Sequence, residues 1–302
     1  MKEKNIIELI EKMGFVKNDT DNKYEKRYRE FDKCIIIDFD DKKIIYPSDV
    51  KINDKTTCNF DKPENFVVLE CINRLLEKGY RPEHLELEKR WNLGHESKGG
   101  KADICVYDKD GINVLCIIEC KTYGQEYNKE LKNLLNDGGQ LFSYWQQERE
   151  TKWLVIYSSR LSDGQINYQV DSVNCSDDAN ILELSKKDNS ISVYTNSNTV
   201  EELYNVWKET YDKALYGDVL FSNKTQAYNI GIKPLTKKDL VDFEEDNKIV
   251  NKFEEILRHN NVSDKENAFN RLIALFICKL VDEMNKNDDD IVDFQYKHGT
   301  DT

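Results

Sequence analysis

Apolar and polar residues alternate with two different periods along this chain, and each change of period marks a new element. Apolar residues recur at helical spacing through Ile6–Met13, which predicts a short amphipathic helix. Strand-like alternation follows around Tyr24–Phe31, Cys34–Asp38, Lys43–Tyr46 and Asp49–Ile52. Pro63 and Glu64 then open a helix that Gly79 closes, with Phe66, Val67, Cys71, Leu75 and Leu76 on one stripe. Strand patterns return at Leu85–Trp91, Ala102–Tyr107 and Ile112–Lys121. A helix is predicted through Glu126–Gln147, and Trp153–Ser158 reads as a buried strand. This order predicts antiparallel hairpins followed by a helical crossover to the last strand.

The signal weakens afterwards. Ile166–Val170, Asn180–Leu184 and Ser190–Tyr194 are possible strands, and Thr199 caps a helix expected to reach Leu215. Residues 216–245 read as irregular, and helices are expected again at Glu244–His259 and Asp264–Asn285. The last of these is strongly apolar, and Asn287–Asp290 breaks it. Phe294–Thr302 carries no cap and reads as the start of a segment cut from a longer polypeptide. The division this suggests is an α+β extension over 1–60, a central domain over 61–200 and a helical connector over 201–302.

Composition narrows the class. Hydrophobic residues at 39% can bury a core, while charged residues at 33% leave a heavily charged surface. No apolar stretch approaches a membrane span, so no membrane partner is expected. The N-terminal apolar pattern is interrupted by charge, unlike a signal peptide, and the expected compartment is the cytoplasm. Eight cysteines include no Cys-x-x-Cys and no zinc-type spacing with histidine, so they read as reduced core thiols. A net charge of −13 argues against a general nucleic-acid coat. It leaves room for a DNA enzyme with a local basic surface.

The segment Lys101–Lys121 concentrates the chemistry. Asp103 enters an apolar strand, Asp110-Gly111 makes a turn, and a second apolar strand ends in Glu119-Cys120-Lys121. Strand geometry puts Glu119 and Lys121 on one face and Cys120 on the other, with Asp103 brought back beside Glu119. A buried aspartate without a partner is costly, and a hard divalent cation would supply one. The plain alternative is a structural ion pair between Glu119 and Lys121. Acidic-x-Lys also occurs at Asp21–Lys23, Asp49–Lys51, Glu130–Lys132 and Glu150–Lys152, but only Glu119–Lys121 closes so apolar a run after a hairpin bearing an Asp. Glu70, in mid-helix, is placed to reach the site from below, or else is a solvated helix position. Glu88 reads as a surface residue of the first strand. Gln140 and Tyr144 share one helix face that flanks the strand of Lys121, where ordinary packing is the alternative.

At these residues the chain resembles the PD-(D/E)xK nuclease superfamily. More narrowly it is similar to the N-terminal nuclease domain of type I restriction-enzyme R subunits and of single-chain restriction–modification enzymes. The matching positions are Glu70, Asp103, Glu119-Cys120-Lys121 and Gln140 with Tyr144, within about residues 62–160; Ala102 stands where the family has proline. The resemblance implies an α/β fold with a restriction-endonuclease-like mixed β-sheet core flanked by helices. It also implies Mg²⁺, with Mn²⁺ able to substitute, held by Asp103, Glu119 and the Cys120 carbonyl, with Glu70 completing a second site. Lys121 would be catalytic, and Gln140 and Tyr144 would position DNA or the lysine. The implied substrate is double-stranded DNA, and the implied partners are methyltransferase and specificity domains or subunits. Residues 267–302 resemble the helical region preceding the catalytic domain of adenine-specific DNA methyltransferases. No glycine-rich S-adenosylmethionine loop and no Asn/Asp-Pro-Pro-Tyr motif occurs in the 302 residues, so that cofactor would belong only to a further C-terminal part. The alternative is a non-cleaving scaffold or regulatory module of such a methyltransferase.

Overall fold

The computed structural model describes residues 3–91, 100–223, 225–231, 235–240 and 265–294. They fall into two compact units, Met1–Gly231 and Ile232–Thr302. In the first, α1 (Glu3–Lys12) buries Ile6, Leu9 and Ile10. An antiparallel sheet follows, made in order of β1 (Val16–Lys17), β2 (Lys23–Tyr28), β3 (Lys33–Asp38) and β4 (Lys43–Ile45). β5 (Lys51–Ile52) lies outside that sheet and pairs in parallel with β6 (Leu85–Arg90), forming the edge of a larger sheet. Between them α2 (Glu64–Lys78) starts directly after Pro63 and stops at Gly79, whose φ of 103° is left-handed.

The larger sheet continues through β7 (Lys101–Tyr107), β8 (Val114–Cys120), β9 (Trp153–Ser162) and β10 (Gln165–Asn174). β6, β7 and β8 pair antiparallel, β8 and β9 parallel, and β9 and β10 antiparallel. The parallel step needs a crossover, which is helical, as the pattern of residues predicts. It is two helices rather than one: α3 (Gln125–Asp137) and α4 (Gly139–Gln147). Gly138 separates them at φ 87°, a backbone region costly for other residues. A Cβ there would also lie 2.7 Å from Phe142.

Alternate residues of this sheet face two different cores. Ile104, Cys116, Ile118, Cys120, Val155 and Tyr157 pack with α1, α2 and the small sheet. Cys105, Ile117, Leu154 and Ile156 pack with α3, α4 and α6 (Val200–Glu209). The result is a mixed α/β unit with helices on both faces of the large sheet.

Two weak expectations are corrected. Asn180–Leu184 is helical, within α5 (Ala179–Ser185), because the Asp178 carboxylate caps the backbone N–H groups of Asn180 and Ile181. Ser190–Tyr194 is not a strand; the chain there runs into a 3₁₀ turn at Tyr194–Asn196. Thr199 does cap α6, in a reciprocal box with Glu202, but the helix ends at Glu209 and not at Leu215. In the second unit α7 (Lys265–Met284) is described, whereas the helix expected at Glu244–His259 lies outside the described residues. No described helix is long and apolar enough to cross a membrane. All eight cysteines are free, and Cys71, Cys105, Cys116, Cys120 and Cys175 are buried.

Candidate active site

The hairpin of β7 and β8 brings the first two residues together. Its turn is held by the Asp108 carboxylate, which accepts hydrogen bonds from the backbone N–H groups of Ile112 and Asn113 at 2.9 and 3.2 Å. Gly111 supplies the left-handed φ of 68° that the turn requires. Ile104 then pairs with Ile118, and one step further along the same ladder Asp103 and Glu119 arrive at one end of one face. The Cys120 N–H donates to Asp103 Oδ2 at 2.8 Å, which locks the carboxylate against the strand carrying Glu119. Lys121 follows β8 with its backbone still paired, its N–H donating to the Tyr157 carbonyl at 2.9 Å. Its side chain turns to the same face as Glu119, and Lys121 Nζ donates to Glu119 Oε1 at 2.5 Å.

Asp103 and Glu119 are 8% and 3% exposed, so both carboxylates have lost nearly all their water. Burial pushes the Asp103 carboxyl up to about 6, against the pull of Lys121 and of the Cys120 N–H. Glu119 rises well above the usual carboxylate range, from burial first and from the Asp103 charge second. Burial opposes the charge on Lys121, yet Glu119 and Asp103 outweigh it and raise its pKa, so the ammonium stays protonated. Lys121 donates directly to Glu119, and Lys101 adds a second positive charge that acts on Asp103. Glu119 Oε2 is buried without any hydrogen-bond partner. An unpaired carboxyl oxygen in a dry site beside a second carboxylate fits a hard cation. The alternative of a simple Glu119–Lys121 ion pair accounts for Oε1 and leaves Oε2 unexplained.

Glu70 is not part of this cluster. Its carboxylate accepts from Arg74 Nε at 2.5 Å and from the Tyr157 hydroxyl. Tyr157 belongs to the face of the sheet that packs on α2, whereas Glu119 follows the parity of Ile117 on the other face. Arg74 in turn lies 4.0 Å from the Tyr168 ring centre. Burial raises the Glu70 pKa even with Arg74 beside it. The α2 carboxylate that does act on the site is Glu64, in the first turn, whose charge raises the pKa of both Asp103 and Lys121. Periodicity alone missed it, because Glu64 reads as a helix-start residue that the dipole favours. A second missed residue is Glu130 on α3, 7% exposed, whose charge acts on Glu119 and Tyr144. In sequence it is one more acidic-x-Lys.

Tyr144 is brought to the edge of the site. The Tyr144 hydroxyl donates to the Lys101 carbonyl at 2.9 Å, and its ring stacks on Trp91 with centroids 5.1 Å apart. Gly100 passes so close that a Cβ there would lie 2.2 Å from Tyr144 Cε1. Tyr144 thus fixes the point where the chain enters β7, two residues before Asp103. Gln140, in the first turn of α4, is exposed. Residues 92–99, which precede Gly100, lie outside the described residues.

Glu88 is fully buried, contrary to the surface position expected of it. It adopts φ 60° in the middle of β6, a conformation costing about 1–3 kcal/mol in a residue with a side chain. This turns its carboxylate onto the segment after β5, where it accepts from the N–H groups of Asp54 and Thr57 at 3.1 and 3.0 Å. Lys101 Nζ meets the same carboxylate at 3.2 Å. The Asn65 amide holds the far end of the segment through the carbonyls of Thr56 and Asn59, both at 3.0 Å. The first turn of α2, and Glu64 with it, is thereby tied to the entry of β7.

No group of three or more His, Cys, Asp or Glu side chains placed to hold a metal ion occurs among the described residues. The carboxylates that meet are Asp103 and Glu119. Compared with known proteins, the chain matches no family model, and no curated protein is significantly similar to it in sequence.

Proposed function

We propose that this chain is a metal-dependent DNA endonuclease domain of a restriction–modification system, with a restriction-endonuclease-like core. The observation that carries the reading is the buried pair Asp103 and Glu119, with Lys121 alongside and Glu119 Oε2 unpaired. Asp103 and Glu119 would hold Mg²⁺ or Mn²⁺, with the Cys120 carbonyl as the backbone ligand that the family resemblance implies. Bound there, the ion supplies Lewis-acid polarisation of a phosphate oxygen and acidifies water.

The chain's own residues do the rest. Lys121 keeps a compact positive charge within reach of a phosphodiester and stabilises the charge that develops on phosphorus oxygens. Glu119 orients that ammonium through the 2.5 Å hydrogen bond. The Cys120 N–H holds the Asp103 carboxylate in place, so that only its side chain's remaining capacity faces the ligand. Tyr144 fixes the backbone leading to Asp103. These groups read a phosphate and carry no base specificity, so recognition of a sequence would fall to methyltransferase or specificity partners.

A plasmid-nicking assay tests this. The chain with Mg²⁺ is expected to relax supercoiled DNA, and Lys121→Ala to lose at least ~100-fold of that rate. Nicking by Lys121→Ala at the rate of the parent would refute the assignment.

A further inference from the structure

A cleft of about 520 Å³ opens directly beside Lys121. Thr122 and Tyr123, the next two residues, form one wall, α1 contributes Asn5 and Glu8, and the end of β9 with its turn contributes Arg160 and Asp163. The volume is that of a small-ligand site. Tyr123 is 37% exposed, and the Arg160 guanidinium carbon sits 4.0 Å from its ring centre. The cleft thus offers a flat aromatic and guanidinium platform.

Its charge excludes a simple phosphate track. One arginine is set against two carboxylates, Glu8 and Asp163, so a polyanionic backbone running along the floor would be repelled. The same set suits a nucleobase. A base is neutral and planar, and its exocyclic amino group donates to a carboxylate or an asparagine carbonyl. Tyr123 lies two residues from Lys121, at most ~7 Å along the chain. The cleft therefore lies close in the chain to the phosphate that Lys121 would serve.

We infer that this cleft receives one unpaired nucleobase flanking the scissile phosphate, with Tyr123 and Arg160 as its stacking platform and Glu8, Asp163 and Asn5 along its polar edge. The inference rests on the nuclease reading and adds a substrate class to it. DNA carrying an unpaired nucleotide is preferred to a continuous duplex, because a paired base must first leave its stack.

The test uses the full chain carrying Lys121→Ala, so that DNA can be bound without being cut. Its affinity is measured by fluorescence anisotropy for a duplex with one bulged 2-aminopurine and for the same duplex fully paired. The bulged duplex is expected to bind ~10-fold tighter, with the 2-aminopurine emission changing as the base stacks. Adding Tyr123→Ala or Arg160→Gln should bring the two affinities together, while Tyr123→Phe, which keeps the ring, retains the preference. Equal affinity for the two duplexes, or a preference that survives Tyr123→Ala in a protein with an unchanged unfolding temperature, overturns the inference. Plasmid nicking by the unmodified chain separates the two claims. Nicking with equal affinities removes the base pocket and leaves the nuclease, whereas absence of nicking removes both.

Discussion

At the scale of single residues, the site is held together by groups that oppose one another. Asp103 and Glu119 repel, both are dry, and Lys121 faces them. Burial alone would favour their neutral forms, and a cation would favour the charged ones. The folded state therefore carries a cost at neutral pH, which a bound cation would offset under the proposed function. Glu119→Gln keeps the shape and the acceptor for Lys121 while removing the charge on the unpaired oxygen. Without metal it should stabilise the protein by about 1–3 kcal/mol, read from urea unfolding, while abolishing cleavage. A variant less stable than the parent would show that the pair supports the fold instead. Glu88 is the contrasting case. Its charge is equally buried, but Asp54, Thr57 and Lys101 satisfy it.

At the scale of elements, the hairpin was the most legible part. Alternation in β7 and β8, with an Asp-Gly turn between them, is enough to bring Asp103 back beside Glu119, and Ile104 stands opposite Ile118 one step away along the ladder. The helix glutamate was not legible. A stripe of apolar residues tells which face of α2 is buried, but Glu70 lies on that face with its own arginine, while the charge of Glu64 at the helix end acts on Asp103. Helix ends escape periodicity because their direction depends on the entering loop, here the segment tied by Glu88 and Asn65. The break at Gly138 and the helix at Ala179–Ser185 were hidden for a related reason. Both turn on one local residue, a left-handed glycine and a capping aspartate. The entry to β7 gives the sharpest element-level test. Gly100→Ala would force a methyl group into the Tyr144 ring, so a loss of about 1–3 kcal/mol is expected. The paired change Gly100→Ala with Tyr144→Leu should recover part of it, and additive losses in thermal unfolding would count against this packing.

At the scale of the whole molecule, Met1–Gly231 is one compact unit in which the lead-in strand β5 edges the larger sheet. Its last described stretch is clamped by Tyr228, whose hydroxyl meets His84 Nδ1 and accepts from the Arg81 N–H, both at 2.8 Å. Burial lowers the His84 pKa below its ordinary 6.5. A histidine held neutral on folding contributes stability that is complete above the unfolded pKa. That contribution is lost as pH falls from about 6.5 through the folded value. The parent should therefore lose unfolding free energy between pH 7.5 and 5 more steeply than His84→Gln, and equal slopes in denaturant titrations would contradict this. The acidic surface and the two-carboxylate site lead to one decisive measurement, calorimetric titration of Mn²⁺ into the full chain. One ion per chain should bind, with binding lost in Asp103→Ala and in Glu119→Ala and retained in Glu70→Ala. Undiminished binding by Asp103→Ala, or binding abolished only by Glu70→Ala, would contradict a shared ion at the end of this hairpin.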